Sequence, residues 1–132
     1  MSGFPTLVLL PGLDGTGENF GPFVRELGAH GLESRVVRYR SDRPCTVAEL
    51  RGIVEDALPD GSYLLVAESF SGPLGIEVAA RGAPGCVGLV LVATFHRFPR
   101  RVPAWIVRTL GPLGFAIPPP RWALRGCSWG MG

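Results

Sequence analysis

Two serines in Ala67-Glu68-Ser69-Phe70-Ser71-Gly72 pose the first chemical question. A serine hydroxyl becomes a useful nucleophile when it stands on a sharp strand-to-helix turn, clear of the surrounding backbone. Such a turn needs small residues two positions before and after the serine, because larger side chains would collide. Ala67 and Ser71 meet that need around Ser69, and Gly72 lets the following helix approach closely. The usual pattern is G-x-S-x-G, and both glycines are replaced here. Ser71 fits the nucleophile position less well, since Pro73 occupies its +2 position. A second reading makes Ser69 a helix N-cap that follows a strand.

The segment Leu10-Pro11-Gly12-Leu13-Asp14-Gly15-Thr16-Gly17 bears on that choice. A loop leaving a neighbouring strand can aim a backbone N–H at the point where an acyl oxyanion forms, and glycines allow the close approach. A phosphate-cradling loop is the alternative, but G-x-G-x-x-G is not met: Phe20 stands where the third glycine belongs. The chain holds no lysine, so a Walker-type loop and a Schiff-base mechanism are both excluded.

With these two loops the chain resembles the α/β-hydrolase family, in a lipase, esterase and thioesterase-like branch, over roughly residues 4–99. The resemblance implies hydrolysis of a carboxylic ester or thioester, with Ser69 as nucleophile and a small-molecule acyl substrate. It implies oxyanion donors at the backbone N–H of Phe70 and of Leu13 or its neighbour, with Gly12 and Asp14 beside the substrate. No cofactor and no metal are expected. The implied fold sets the first and third strands side by side, with the second and fourth outside them.

The same resemblance calls for an acid and a histidine after later strands. His30 lies in Gly28-Ala29-His30-Gly31, a solvated loop after the first helix. His96 follows the fourth strand at the correct sheet edge, where the family starts a lid rather than places its base. It is the remaining candidate base, and its ring is expected beyond hydrogen-bond reach of Ser69, more than ~3.2 Å away. Among the acids, Asp14 sits in an Asp-Gly turn, Glu68 precedes the nucleophile, and Asp42, Asp56 and Asp60 lie on loops or a polar helix side. A catalytically inactive fragment, serving as a binding or interaction module, is the alternative function.

These loops need a scaffold. Thr6 to Leu10 is a short apolar run suited to a strand covered on both faces. Phe20, Phe23, Val24 and Leu27 make a helical stripe closed by Gly28. A second strand is expected at Ser34 to Tyr39. Thr46 and Glu49 form a capping box that opens a helix with Val47, Leu50, Ile53, Val54 and Ala57 on its apolar face. Tyr63 to Ala67 is a third strand, Ser71 to Arg81 a helix apolar nearly all round, and Val87 to Ala93 a fourth strand. This alternation predicts an α/β fold, a partial parallel sheet of about four strands with flanking helices; the order second-first-third-fourth is what the resemblance implies. Ligands bind beyond the carboxyl ends of such strands, which singles out the loops at 11–17, 40–45, 68–71 and 94–97.

Composition adds boundaries. The 132 residues suit one domain, and 46% apolar with 18% charged residues excludes bulk disorder. Residues 1–96 carry seven arginines against eleven acids, whereas 97–132 carry six arginines, no acid and six of the 13 prolines. The chain therefore divides into a core at 1–96 and a Pro/Arg-rich tail at 97–132, lid-like or truncated, with a 126–132 end that is native or frame-shifted. A net charge of +2 does not suggest a nucleic-acid partner. No apolar run reaches the ~18 residues of a transmembrane segment, and Cys45, Cys86 and Cys127 have no metal spacing. An odd cysteine count without a signal peptide favours a cytoplasmic protein. The apolar fourth strand, lacking a further neighbour, is expected to self-associate through its open edge.

Overall fold

A computed structural model describes residues 3–97, all within one compact unit of the chain. Strand and helix alternate as β1 (Thr6–Leu10), α1 (Gly21–Ala29), β2 (Ser34–Val36), α2 (Val47–Asp56), β3 (Tyr63–Glu68), α3 (Gly72–Ala80) and β4 (Cys86–Val92). One-turn 3-10 segments, Glu18–Phe20 and Ser69–Ser71, lead into α1 and α3. The sheet is wholly parallel in the order β2-β1-β3-β4, the order the resemblance implies. The tail beyond residue 97 lies outside the described residues.

Both central strands read as continuous apolar runs because helices cover both faces, and the period of two sorts their side chains. Val8, Leu10, Leu65 and Ala67 face Leu50, Val54, Leu74 and Val78 of α2 and α3. Leu9 and Val66 face Phe20 and Val24 on the α1 side. Each fully buried Val or Leu contributes about 1.5–3 kcal/mol, so β1 and β3 anchor the fold. The capping box of α2 forms: Thr46 accepts from the Glu49 N–H, and the Glu49 carboxylate accepts from the Thr46 N–H.

Four local expectations are corrected. The helix α1 runs through Gly28 and closes at Gly31, whose φ of 71° supplies the left-handed turn that Gly28 was expected to make. Strand β2 ends at Val36: Val37 N–H still bonds the Leu9 carbonyl, but Tyr39 N–H turns to Gly15, so the chain leaves the sheet to follow the glycine loop. Phe23 and Val47, expected in the core, are exposed at the margins of their helical stripes. Strand β4 starts and ends one residue early, since Ala93 takes a φ of 46° that no strand accommodates. None of the helices among the described residues is long and apolar enough to cross a membrane.

Candidate active site

The parallel pairing of β1 with β3 sets Leu10 opposite Ala67, so the loops that follow leave neighbouring strands at the same edge of the sheet. The chain then brings them together. A Cβ built on Gly12 would lie 3.7 Å from the Ser69 Cβ and 3.9 Å from the Glu68 Cδ. The turn is closed by Gly15 N–H donating to the Gly12 carbonyl at 3.1 Å, with Leu13 and Asp14 at its tip. Leu13 is largely exposed. Asp14 is exposed too, and its carboxylate accepts from the Thr16 hydroxyl within the loop.

Ser69 takes a φ of 48°, in the left-handed region that non-glycine residues avoid at a cost of about 1–2 kcal/mol. Such strain persists only where the surroundings over-determine it. Here three contacts do so. The Thr94 hydroxyl, two residues past β4, donates to the Ser69 carbonyl. Gly72 makes this approach feasible, for a Cβ there would stand 1.9 Å from the Thr94 Oγ1. Gly75 lets α3 settle on the sheet, its own imagined Cβ meeting Ala67 at 2.9 Å. The small Ala67 and Ser71 are wholly buried on either side of Ser69, as the steric argument for such a turn requires.

Two rival readings of the serines do not survive the geometry. Ser69 caps no helix: Ser71 precedes α3 as its N-cap residue, and neither terminus carries a side-chain cap bond. Ser71 is no nucleophile, because it is fully buried and its hydroxyl is held by Pro11 and Tyr39.

His30 follows α1 and precedes β2, so it lies at the opposite end of the strands, exposed and bonded to Glu26 at 3.2 Å. His96 is at the Ser69 edge, exposed, and no hydrogen bond joins it to Ser69. Glu68 is half-buried beside Ser69 and makes no ion pair among the described residues. Nor do any three His, Cys, Asp or Glu side chains there converge as a metal site would require.

Two grooves border this edge. One of about 410 Å³ is lined by Leu13, Asp14, Tyr39, Arg43, Cys45 and Phe70, and so reaches the residue that follows Ser69. Its arginines are occupied: Arg40 pairs with Asp42 at 2.7 Å and Arg43 with Glu49 at 2.6 Å. A second, strongly apolar groove of about 450 Å³ lies on the α1 face of the sheet, between Phe20, Phe23, Leu64, Val66, Val90 and Val92. It reaches the serine turn at Glu68, the residue before Ser69.

Sequence reasoning missed Thr94 and Tyr39, which hold the two loops in place. Neither carries a motif; their roles come from contacts 25 and 32 residues away in the chain.

A doubly wound parallel α/β sheet with a strained serine turn beside a glycine loop thus defines the class of this protein. No protein-family model matches it. Phytyl ester synthase 1, chloroplastic, of Arabidopsis thaliana is 36% identical over 103 residues, which make up 73% of this chain and 14% of that protein. The likeness is weak and partial, and the chain spans only a small part of that relative's length.

Proposed function

We propose that this chain carries the nucleophile and oxyanion elements of an α/β-hydrolase-type serine enzyme acting on carboxylic ester or thioester substrates. The observation that carries this reading is the Gly12–Gly15 turn packed against Ser69 at φ 48°. The Ser69 Oγ attacks the acyl carbon as its proton passes to water, and the carbonyl oxygen takes up the negative charge. The backbone N–H groups of Phe70 and Leu13 hold that oxyanion. Collapse breaks the bond to the leaving oxygen or sulfur, which takes a proton from water to depart as alcohol or thiol, and leaves an acyl group on Ser69 that water or another acceptor then removes. Gly12 and Asp14 flank the substrate, whose acyl part lies in the groove between Leu13, Tyr39 and Phe70. Likeness to part of an enzyme named for ester synthesis supports ester chemistry as the substrate class.

Among the described residues nothing accepts a hydrogen bond from the Ser69 hydroxyl. What the described residues supply is oxyanion stabilisation and binding, which alone can leave a residual rate of about 10³–10⁴ over water. The test is labelling by an activated fluorophosphonate, read by mass spectrometry. Slow modification at Ser69, absent in Ser69→Ala and unchanged in His96→Ala, is expected. Equal labelling of Ser69→Ala would sink the reading, and fast labelling lost in His96→Ala would make His96 the base.

A second reading makes the chain an interaction module. It is favoured by β4, which pairs only with β3 among the described residues and exposes Val87, Val90, Leu91 and Val92.

A further inference from the structure

Ser71 is the wholly buried polar residue of the described core, and the proposed reaction does not use it. Its hydroxyl donates to the carbonyl of Pro11, sixty residues earlier. A hydroxyl has one proton to give. The contact of 2.6 Å between the Ser71 Oγ and the Tyr39 hydroxyl must therefore have the phenol as donor. The result is a directed chain, Tyr39 O–H to Ser71 O–H to Pro11 C=O. Burial pushes the Tyr39 phenol up to about 12, so it keeps its proton across the working pH range.

Tyr39 also grips the same loop at its far side. Its backbone N–H donates to the Gly15 carbonyl at 2.8 Å, and its Cβ lies 3.3 Å from where a Gly15 Cβ would be. Pro11 and Gly15 are the two ends of the turn that carries Gly12, Leu13 and Asp14. Fixing the Pro11 carbonyl fixes the plane of the peptide leading into Gly12, the residue in contact with Ser69.

We propose that Tyr39 and Ser71 are positioning residues that lock the Gly12–Asp14 turn against Ser69 and so orient its N–H groups toward the acyl oxygen. The proposal rests on the reading of Ser69 as nucleophile. Neither side chain touches the substrate through its hydroxyl; each acts through the loop. The hydroxyls work as one chain, because losing either one frees the Pro11 carbonyl or leaves its donor without support.

Two-parameter labelling kinetics on the full chain test this with a fluorophosphonate, separating initial binding (KI) from phosphonylation (kinact). Tyr39→Phe keeps the ring and the backbone N–H, and removes only the phenolic O–H. The expected result is a fall of at least tenfold in kinact with KI unchanged and the melting temperature nearly so. Ser71→Ala should act alike, and the double variant should be no slower than Ser71→Ala alone, as coupled residues require. Wild-type kinact in Tyr39→Phe would overturn the proposal. So would a loss in both variants that tracks a collapse of the melting temperature, or one that falls on KI. Failure of the wild-type chain to label at Ser69 is a different outcome: it overturns the proposed function, and the positioning role with it.

Discussion

Replacing Gly72 by alanine probes the fit on which the serine turn depends. Gly72 has helical backbone angles, φ −56° and ψ −55°, which alanine also prefers, so the backbone raises no objection. The obstacle is Thr94. An alanine Cβ would stand 1.9 Å from the Thr94 Oγ1 and 2.7 Å from both its Cβ and Cγ2. Rotating Thr94 about χ1 moves the hydroxyl but not the Cβ, so α3 and the end of β4 must part. Overpacking of this kind costs about 1–3 kcal/mol. Parting also breaks the bond from Thr94 to the Ser69 carbonyl, worth about 1 kcal/mol net. The sum is about 2–4 kcal/mol against a total of roughly 5–15 kcal/mol for a small domain. In urea, with a slope of roughly 1.5 kcal/mol/M, the unfolding midpoint should fall by about 2 M. Gly52→Ala is the control. Gly52 lies within α2, a Cβ there meets nothing within 4 Å, and the substitution should stabilise by about 0.5–1 kcal/mol. Equal midpoints for Gly72→Ala and wild type would refute the packing of Thr94 over the turn, and with it this account of what holds Ser69 in strain.

Strain at Ser69 predicts that Ser69→Gly is more stable than Ser69→Ala by about 1 kcal/mol, since only glycine adopts φ 48° freely; thermal unfolding with alanine equal or superior would contradict it. The Glu49 carboxyl is held down at about 2, first by the Arg43 guanidinium and then by the Thr46 N–H and hydroxyl. A lowered pKa in the fold means stability present above the ordinary value of 4.5 and lost as pH falls through 2. The stability gap between wild type and Glu49→Gln should therefore be constant above about pH 5 and shrink toward pH 2; a gap independent of pH would show that the capping box contributes nothing as a charge. Strand β4 pairs only with β3 among the described residues and exposes apolar side chains, which predicts association of the purified chain. Sedimentation should show dimers or larger species that diminish on Val87→Lys, and a monomer at high concentration would refute this.

The alternation of strand and helix and the parallel sense of the sheet were legible in the sequence because they follow from local patterns, whereas the strand order came from the family resemblance. Four apolar runs separated by helical stripes admit right-handed crossovers and little else, and such a sheet gathers its loops at one edge. The small residues at 67, 71 and 72 announced the sharp turn at Ser69 for the same reason: steric exclusion acts between near neighbours. Where glycine closes α1 was less legible, since Gly28 and Gly31 both lie near the helix end, and backbone bonds formed only in the fold mark Gly31 as the turn; Leu32 N–H reaches back to the Leu27 carbonyl. The contacts that hold the site were not legible at all. Ser71 meets Pro11 across 60 residues and Thr94 meets Ser69 across 25, and a lone serine or threonine has the same appearance in sequence whether it meets water or a buried carbonyl. Composition and periodicity fix which face of an element is apolar. Which hydroxyl satisfies which carbonyl depends on distances that exist only once the strands are in register and the helices packed.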